Sequence, residues 1–380
     1  MHQKLFQTID QLYDTYLNVW EDVCNIESPT VCKEGVDAVG QYFIRMAEER
    51  GWKVETGHQD VAGDTVCITM NADVQAPPLA LSGHIDTVHP VGLFGNPPVR
   101  RENGKIYGPG VSDCKGGVVA AMLAMDALHR CGYRKRPVQL LLQSDEEFNL
   151  SSKTTIRWIC DKAKDAVAFI NLEAYVEGFV CLTRKGIATF TFDITGVEAH
   201  SSFCAVEGAN AIAEAAHKIL ELEKWKDHDG ITCNCGVISG GSVPNTVPGK
   251  CEFKANVRYV TNEQLEWVKA EMQRIADTVY VPGCSSTVRL TGSRVAMEYT
   301  RRNEELIENM NAAYARAGLP ELKPYRRTGG SDAADVTVYG IPCVDSLGVD
   351  GRRQHSVEEY ATQESLRESA YRMAAAALYL

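Results

Sequence analysis

The sequence lacks the features of membrane, exported and nucleic-acid-binding proteins. None of its apolar runs approaches the roughly 18 residues needed to cross a bilayer. Met1–Asp10 includes an acidic side chain and glutamines where a secretion signal requires an apolar stretch. Lysine and arginine form no cluster or stripe, and the formal net charge of the 380 residues is −11. We therefore expect a cytoplasmic protein, with neither nucleic acid nor a membrane as its main partner.

Common phosphate, zinc and disulfide motifs are also missing. Gly108-Pro109-Gly110 is glycine-rich, but no GxGxxG or GxxxxGK[ST] pattern surrounds it. The 13 cysteines are scattered, and the closest pair, Cys233 and Cys235, belongs to no CxxC motif. In a chain without an export signal, most of these cysteines are expected to be small buried apolar residues and not a disulfide framework.

What the sequence does contain is an alternation of helical and strand-like segments. Helical periodicity covers Gly35–Arg50 and Lys115–His129, and short continuous apolar runs cover Leu79–Leu81, Val138–Leu142 and Val167–Leu172. Continuous apolar runs between helices are typical of strands that are buried on both faces of a parallel sheet. We therefore predict an α/β domain with a mostly parallel sheet.

A second pattern begins near Thr183. Lys185–Thr195 alternates like a half-buried strand. The segments that follow predict a helix, two strands, a helix and a strand at Gly208–Trp225, Ile231–Ser239, Lys250–Val260, Glu263–Val279 and Ser285–Thr291. This βαββαβ order is that of a ferredoxin-like unit. It predicts an inserted domain over residues 184–294, within a first domain made of residues 1–183 and 295–380.

The α/β pattern returns after the predicted insert. Asn303–Ala317 has the periodicity of an amphipathic helix. A closing helix is predicted after Ser356, and Ser356-Val357-Glu358-Glu359 separately resembles a helix capping box.

Several residues of metal-binding type follow the predicted strands or lie near helix starts. They are His84, Asp86, Asp113, Glu146, Glu147, Glu173 and His355. In open α/β sheets, ligands bind at the carboxyl ends of the strands, so we expect these side chains to lie together. Imidazoles with carboxylates suit zinc, cobalt or manganese, and such a set can hold two metals about 3.5–4 Å apart with one bridging carboxylate. A single carboxylate after a strand is more often a helix cap or a solvated loop residue, so the prediction depends on the combination.

Four segments resemble motifs of a known family. They are Ser82-Gly83-His84-Ile85-Asp86-Thr87-Val88, residues 108–117 (GPGVSDCKGG), Asp145-Glu146-Glu147 and the late His355. These segments resemble the M20 metallopeptidases, also called the aminoacylase/carboxypeptidase group, and the likeness runs through nearly the whole chain. Thr183–Thr189 resembles the glutamate carboxypeptidase branch most. The resemblance implies a zinc-peptidase-like catalytic domain and an inserted ferredoxin-like domain that serves as lid and dimerisation domain.

The resemblance also implies roles in the catalytic domain. The residues that match metal ligands are His84, Asp113, Glu147, Glu173 and His355. Asp113 matches the bridging carboxylate, and Glu146 matches the general base that takes the proton of the attacking water. Asp86 matches the residue that orients His84, which fixes the tautomer of a ligating imidazole.

Further roles are implied in and beyond the predicted insert. His200 matches a histidine that reaches the active site of a partner subunit and stabilises the oxyanion. Asn245 matches a substrate-contacting asparagine, and Arg258 an arginine near the domain or dimer contact. Arg294 resembles the arginine that grips the substrate carboxylate, although a surface arginine at a strand end is an equally good reading. Residues 327–332, with Gly330 and Ser331, resemble a loop that lines the substrate pocket.

Two positions depart from the family pattern. Cys114 stands where relatives often carry methionine, and it predicts sensitivity to thiol reagents. Glu173 occupies a position that is Asp in several peptidases of the family and Glu in many deacylases, which favours a deacylase.

These observations predict a two-metal amidohydrolase that cleaves an amide next to an amino acid with a free carboxylate. We expect zinc as the metal, with cobalt or manganese also accepted by the same ligands. The leading prediction is a carboxypeptidase of the glutamate-releasing type that acts on small peptides or N-acyl amino acids as a homodimer. An N-acyl-amino-acid deacylase or a dipeptidase is the alternative, and a non-catalytic metal-binding protein is a third reading.

Overall fold

The computed structural model describes residues 2–380, which divide into two units. Unit 1 contains the residues up to Leu182 together with Tyr299–Arg326 and Ser331–Leu380. Unit 2 contains Thr183–Glu298 and Arg327–Gly330. Among the described residues, no helix combines the length and the apolar character that crossing a membrane requires.

The helices, in chain order, are α1 His2–Asn25, α2 Lys33–Glu48, α3 Lys115–Arg130, α4 Thr154–Ala163, α5 Ala211–Leu222, α6 Asn262–Asp277, α7 Arg301–Ala317, α8 Asp332–Tyr339 and α9 Ser365–Tyr379. The strands are β1 Lys53–Gly57, β2 Thr65–Met70, β3 Leu79–His84, β4 Arg100–Glu102, β5 Lys105–Tyr107, β6 Val138–Gln143, β7 Ala168–Asn171, β8 Phe179–Arg184, β9 Gly186–Thr195, β10 Ala199–His200, β11 Thr232–Gly240, β12 Thr246–Val247, β13 Lys250–Tyr259, β14 Ser285–Arg294, β15 Lys323–Arg327, β16 Cys343–Val344, β17 Gly351–Arg352 and β18 Tyr360–Thr362.

The central sheet of unit 1 is mixed, with the order β1-β2-β6-β3-β7-β16. The pairs β6–β3, β3–β7 and β7–β16 are parallel, and β1–β2 and β2–β6 are antiparallel. Every residue of β3 and β7 is buried, as the continuous apolar runs predict. The predicted α/β class is therefore confirmed, and the parallel strands form the part of the sheet that carries the candidate site.

Helices cover this sheet and complete the core of unit 1. α3 is buried along almost its whole length, which its small and apolar sequence permits. α1 packs against α3 with a stripe of apolar residues spaced three or four apart, including Leu5, Ile9, Tyr16 and Trp20. The alanine-rich end of α9 packs against the same helices.

Unit 2 contains a four-stranded antiparallel sheet with the order β11-β13-β9-β14. Helix α5 follows β9 and helix α6 follows β13, so the chain order is βαββαβ, as in a ferredoxin-like unit. Phe192 and Phe253 stack in its core with their ring centroids 4.6 Å apart. A buried ion pair, Lys218 with Glu214 at 3.0 Å, joins α5 to the end of α6, because the Lys218 ammonium also donates to the carbonyls of Ile275 and Ala276.

The closing helix predicted after Ser356 is present, but Ser356 does not cap it. The Ser356 hydroxyl donates to the Arg353 carbonyl in a local turn, and α9 begins at Ser365. Glu359 is buried and accepts hydrogen bonds from the backbone near Asp113. Ser356 and Glu359, which the capping-box pattern assigns to a helix start, therefore make a turn contact and a tertiary contact instead.

Candidate metal centre

The carboxyl ends of three neighbouring strands bring the candidate ligands of unit 1 together. β3 lies between β6 and β7 and runs parallel to both. β3 ends at His84, Glu173 follows β7, and the pair Glu146 and Glu147 follows β6. Asp113 lies just before α3. The parallel strands therefore bring these side chains to one edge of the sheet, as predicted.

Donor atoms converge in three overlapping groups. These groups are His84–Asp113–Glu173, His84–Glu146–Glu147 and Asp113–Glu147–His355, and within each the donor atoms lie within 4.8 Å of one another. The two carboxylate oxygens of Asp113 face different imidazoles. Oδ1 lies 3.1 Å from His84 Nε2, and Oδ2 lies 3.3 Å from His355 Nε2. A carboxylate with one oxygen toward each of two ligand groups has the arrangement that a bridging ligand needs.

Two further distances between donor atoms of candidate ligands complete two groups around Asp113. His84 Nε2 lies 3.8 Å from Glu173 Oε1, and His355 Nε2 lies 3.3 Å from Glu147 Oε2. Imidazole nitrogen and carboxylate oxygen are the donors that zinc and related metals bind, so the side chains in this place fit divalent ions.

The pKa values of the cluster show how strongly its groups depend on positive charge. Burial raises the pKa of Glu147 to about 7, although its hydrogen bond with His355 acts in the opposite direction. Hydrogen bonds that the His355 ring donates to the carboxylates of Asp113 and then Glu147 raise its pKa to about 10. Burial alone would raise the pKa of Asp113, but its contacts with His355 and His84 lower it below the ordinary value. Bound metal ions would supply the positive charge that protonated imidazoles supply in their absence.

Asp86 holds more than the His84 ring. His84 Nδ1 lies 3.0 Å from the Asp86 carbonyl and 3.4 Å from Asp86 Oδ1, which orients the imidazole. The Asp86 carboxylate also accepts hydrogen bonds from the backbone N–H of Glu146 at 3.2 Å and of Glu147 at 3.1 Å. The Thr30 hydroxyl donates to it at 2.7 Å. One buried carboxylate therefore fixes a candidate ligand and the turn that carries the candidate base.

Three supporting residues have no assigned role in the sequence analysis. Asp145 accepts hydrogen bonds from the backbone of Leu150 and Ser151, each at 2.7 Å, and so closes the turn after β6. Its place in the Asp145-Glu146-Glu147 motif is a signal that could have identified it. Thr30 and Glu359 lie far along the chain from their partners. No local pattern marks Thr30, and the capping-box pattern that includes Glu359 gives it a different role.

The thiol of Cys114 is inaccessible. Its side chain is fully buried, and Sγ donates to the Leu172 carbonyl at 2.9 Å. Burial raises the pKa of this thiol well above its ordinary value. Because the thiolate is the reactive form, both observations argue against the predicted sensitivity to thiol reagents.

In unit 2, His200 and Asn245 are brought together. β10 pairs with β12, so that His200 lies opposite Thr246, and the Ser201 N–H donates to the Asn245 carbonyl at 2.9 Å. Both residues are exposed. His200 Nδ1 accepts a hydrogen bond from the Ser202 N–H at 3.2 Å, so in the neutral ring the proton is on Nε2. His200 is therefore set up as an Nε2–H donor.

Arginines of unit 2 meet at the loop of residues 327–330. Arg258 donates through Nη1 to the Thr328 carbonyl at 3.3 Å, and Arg184 donates through Nη1 to the Gly330 carbonyl at 3.1 Å. A Cβ atom at Gly330 would lie 2.8 Å from Arg294 Cδ, so glycine permits this close approach. Burial, and then the Arg294 cation, lowers the pKa of Arg258. Arg184 is buried, and although it lies within the Thr183–Thr189 motif, the sequence predicts no individual role for it.

Ser331 is placed differently from Gly330. It belongs to unit 1, where its hydroxyl accepts a hydrogen bond from Asn171 Nδ2 at 3.0 Å. Its oxygen also accepts from the Ala333 N–H at 3.3 Å, which caps α8. Ser331 therefore has a structural role in addition to the predicted role in the substrate pocket.

Comparison with known proteins identifies the family. Residues 80–379 match the peptidase family M20/M25/M40. Carboxypeptidase G2 of Pseudomonas sp. (strain RS-16) is 28% identical over 359 residues, which cover 93% of this chain and 86% of that protein. Acetylornithine deacetylase of Myxococcus xanthus is 27% identical over 310 residues, 76% of each chain. The crystal structure of aminopeptidase PepT from Bacillus cereus ATCC 10987 superposes with a TM-score of 0.80 at 20% identity, covering 96% of this chain and 97% of that one. The chain belongs to peptidase family M20/M25/M40 and is a metal-dependent hydrolase.

Proposed function

We propose that the protein is a two-metal amidohydrolase that releases an amino acid with a free α-carboxylate, as a carboxypeptidase of the glutamate-releasing type. The observation that carries the proposal is the placement of Asp113 between two imidazoles, with one oxygen toward each. In this proposal His84, Asp113 and Glu173 hold one ion, and Asp113, Glu147 and His355 hold the other. Zinc is the proposed metal, and cobalt or manganese suits the same donors.

The chain's own residues divide the work around the scissile amide. Bound divalent ions supply Lewis acidity toward a carbonyl and lower the pKa of water. The Glu146 carboxylate accepts a proton from the attacking water and delivers it to the leaving amine nitrogen. Asp86 holds the Glu146 backbone in place for this transfer. His200 of a neighbouring chain donates from Nε2 to the oxygen that becomes negative in the transition state.

The arginines of unit 2 support recognition of a free carboxylate. Arg294 lies beside Arg258, and a second cation nearby favours the binding of an anion. A guanidinium group can pair with a carboxylate through two parallel hydrogen bonds. We assign this contact to Arg294, with Arg258 beside it, Asn245 as a further substrate contact, and Gly330 and Ser331 at the pocket. The likeness to carboxypeptidase G2 supports the same substrate class.

An N-acyl-amino-acid deacylase of the same family is the second candidate. Glu173 favours it, because the family carries Glu at this position in many deacylases. The likeness to acetylornithine deacetylase also supports it. A dipeptidase of the same family would need a free amino terminus on its substrate instead. The third reading, a non-catalytic metal-binding protein, is wrong, because the chain is a metal-dependent hydrolase. Glu146 also lies beside the candidate ligands, where a general base is needed.

A homodimer through the inserted domain, residues 184–294, is part of the proposal. β11 is an edge strand of its sheet, and Val237 and Ile238 on it are exposed. Leu220 on the neighbouring helix α5 is also exposed. An edge strand with exposed apolar side chains is a surface suited to pairing with another strand. Light scattering of the active protein tests this part, and a fully active monomer would contradict it.

A release assay with zinc or cobalt added back tests the substrate class. It compares N-acyl-glutamates, other N-acyl amino acids, free dipeptides and dipeptides blocked at either end. Cleavage that requires the free C-terminal carboxylate and tolerates a blocked amino terminus is expected. The acyl group preferred then separates a carboxypeptidase from a deacylase. Cleavage that requires a free amino terminus would make the protein an aminopeptidase or dipeptidase, and Arg294 would lose its assigned role.

A further inference from the structure

Glu359 is a buried residue whose carboxylate accepts hydrogen bonds from the backbone of the loop that leads to Asp113. Only 1% of the residue is exposed. Oε1 accepts hydrogen bonds from the Ser112 N–H at 2.9 Å, the Ser112 hydroxyl at 3.1 Å and the Asp113 N–H at 3.0 Å. Oε2 accepts from the Gly110 N–H at 3.2 Å and lies 3.5 Å from His89 Nε2. Four donors from one short loop therefore point at a single side chain.

Such a loop requires an acceptor of a particular kind. Adjacent backbone N–H groups that point inward form a concave site for an anion. An ionised carboxylate is an acceptor at both oxygens and can satisfy every one of these donors. A neutral amide at the same place presents an NH₂ group to at least one of them, and a buried donor without an acceptor is costly. The geometry therefore calls for the charged side chain and not merely for one of its size.

The same segment also carries His355. Glu359 lies four residues after His355 in the sequence. The chain between them is folded back, with His355 in the left-handed region at φ 60°. Directly after Glu359, Tyr360 pairs with Tyr107 in the β18–β5 ladder, and the Gly108 N–H donates to the Glu359 carbonyl at 3.3 Å. The β18–β5 pairing therefore continues at Glu359, whose backbone and side chain join the loop that carries His355 to the loop that carries Asp113.

We infer that Glu359 is a positioning residue that sets the distance between Asp113 and His355. The inference rests on the proposed function, in which these two side chains hold the same ion. Glu359 acts through the backbone of Asp113, because its carboxylate accepts from the Asp113 N–H and not from the Asp113 side chain. Its carboxylate determines whether Oδ2 of Asp113 and Nε2 of His355 lie at the separation that one ion requires.

Cobalt binding to the full-length protein tests this inference without relying on turnover. Wild type, Glu359→Gln and Ser112→Ala are stripped of metal and titrated with Co²⁺ in competition with a chelator, and the visible absorption of the cobalt form is recorded. Loss of a group that supports metal ligands lowers metal affinity by about 10- to 100-fold. We expect a loss of this size at one of two sites in Glu359→Gln, with an altered cobalt spectrum. Ser112→Ala removes only the hydroxyl donor, so this variant should lose less cobalt affinity than Glu359→Gln.

Glu358→Gln is the matched control. Glu358 is the neighbouring residue of the same type, but it is exposed and pairs with Arg353. The Glu358→Gln protein should bind cobalt with the affinity and spectrum of wild type. The thermal midpoint of each metal-free variant separates a changed site from a lost fold, and Glu359→Gln, of equal size, is chosen because Glu359→Ala would also open a cavity.

The outcomes separate the two claims. Wild-type affinity and an unchanged cobalt spectrum in Glu359→Gln would contradict the positioning role, and so would an equal loss in Glu358→Gln. A wild type that binds no cobalt would contradict the proposed function, and this inference with it. Two sites in wild type, of which one is weakened and spectrally altered in Glu359→Gln alone, would support both.

Discussion

The candidate metal centre of unit 1 and the candidate substrate residues of unit 2 are held in different ways. His84 is buried, and the carboxylate behind it, Asp86, is fixed by hydrogen bonds from the Thr30 hydroxyl and the Glu147 backbone. His200 and Asn245 are exposed and lie on a ladder of only two residues per strand. The candidate metal centre of unit 1 is thus held in place by contacts within one chain, as a preorganised site requires. The roles proposed in unit 2 depend on what binds against it.

The largest expected effect is the loss of the base from the buried site. Glu146→Gln should lower kcat by about 10²–10⁴-fold, because the amide cannot accept the proton of the attacking water. Glu146 belongs to one donor group, whereas Asp113 joins two, so two metal ions per chain should remain bound. Turnover and metal content are measured on the same sample. Wild-type turnover in a metal-loaded Glu146→Gln protein would contradict the proposed mechanism.

The next effect tests whether His200 acts across a dimer. His200→Ala should lower kcat by about 10²–10³-fold, the cost of losing one oxyanion donor, while metal content stays unchanged. Equal amounts of Glu146→Gln and His200→Ala chains are then dissociated and mixed. If His200 serves the partner's site, each mixed dimer has one intact site, and activity should return to about one quarter of wild type. No recovery in a sample shown to contain mixed dimers would place His200 in the site of its own chain.

A smaller effect is expected from the arginine assigned to the substrate carboxylate. Arg294→Ala should raise KM for substrates with a free C-terminal carboxylate by about tenfold or more, since a hydrogen bond to a charged group contributes roughly 1.5–3 kcal/mol. Substrates with a blocked carboxylate should respond little. Arg289→Ala is the control, because Arg289 is an exposed arginine of the same strand, β14, that pairs with Asp193. Equal KM changes in both variants would remove the assignment.

The next prediction concerns unit 1 alone: the affinity of its candidate metal centre for metal should depend on pH. Hydrogen bonds donated by the His355 ring to Asp113 and Glu147 raise the pKa of His355 to about 10, and burial raises the pKa of Glu147 to about 7. Both groups therefore hold protons at pH 6 that a metal must displace, so affinity should rise with pH, by at most about tenfold per unit for each proton released. Above pH 7 the slope should decrease as Glu147 ionises by itself. Competition titrations from pH 6 to 8 measure it, and a flat profile would show that no proton is displaced.

The convergence of the candidate ligands could be predicted because it follows a rule about strand ends. His84 ends β3, and Glu147 and Glu173 follow the two strands that flank it, so local apolar runs were enough to predict that these side chains lie at one edge of the sheet. Their roles as ligands come from the family resemblance and remain a prediction. Thr30 and Glu359 escaped prediction because their contacts join segments far apart in the chain. The capping-box pattern at Ser356 was wrong for the same reason. Local patterns describe what a segment can do alone, and the contacts of the fold decide among those possibilities.

The smallest predicted effect compares one cysteine from each unit. Cys204 of unit 2 is exposed, whereas Cys114 of unit 1 is buried, and its thiol donates to a backbone carbonyl. Ellman's reagent should modify Cys204 in the native protein and leave Cys114 intact, because Cys114 becomes accessible only when the core around α3 opens. Peptide mass spectrometry after timed labelling locates the modified thiols, and Cys204→Ser confirms the fast phase. Comparable rates at both cysteines would show that the surroundings of Asp113 open readily, and the metal centre would then be less firmly held than the hydrogen bonds of unit 1 imply.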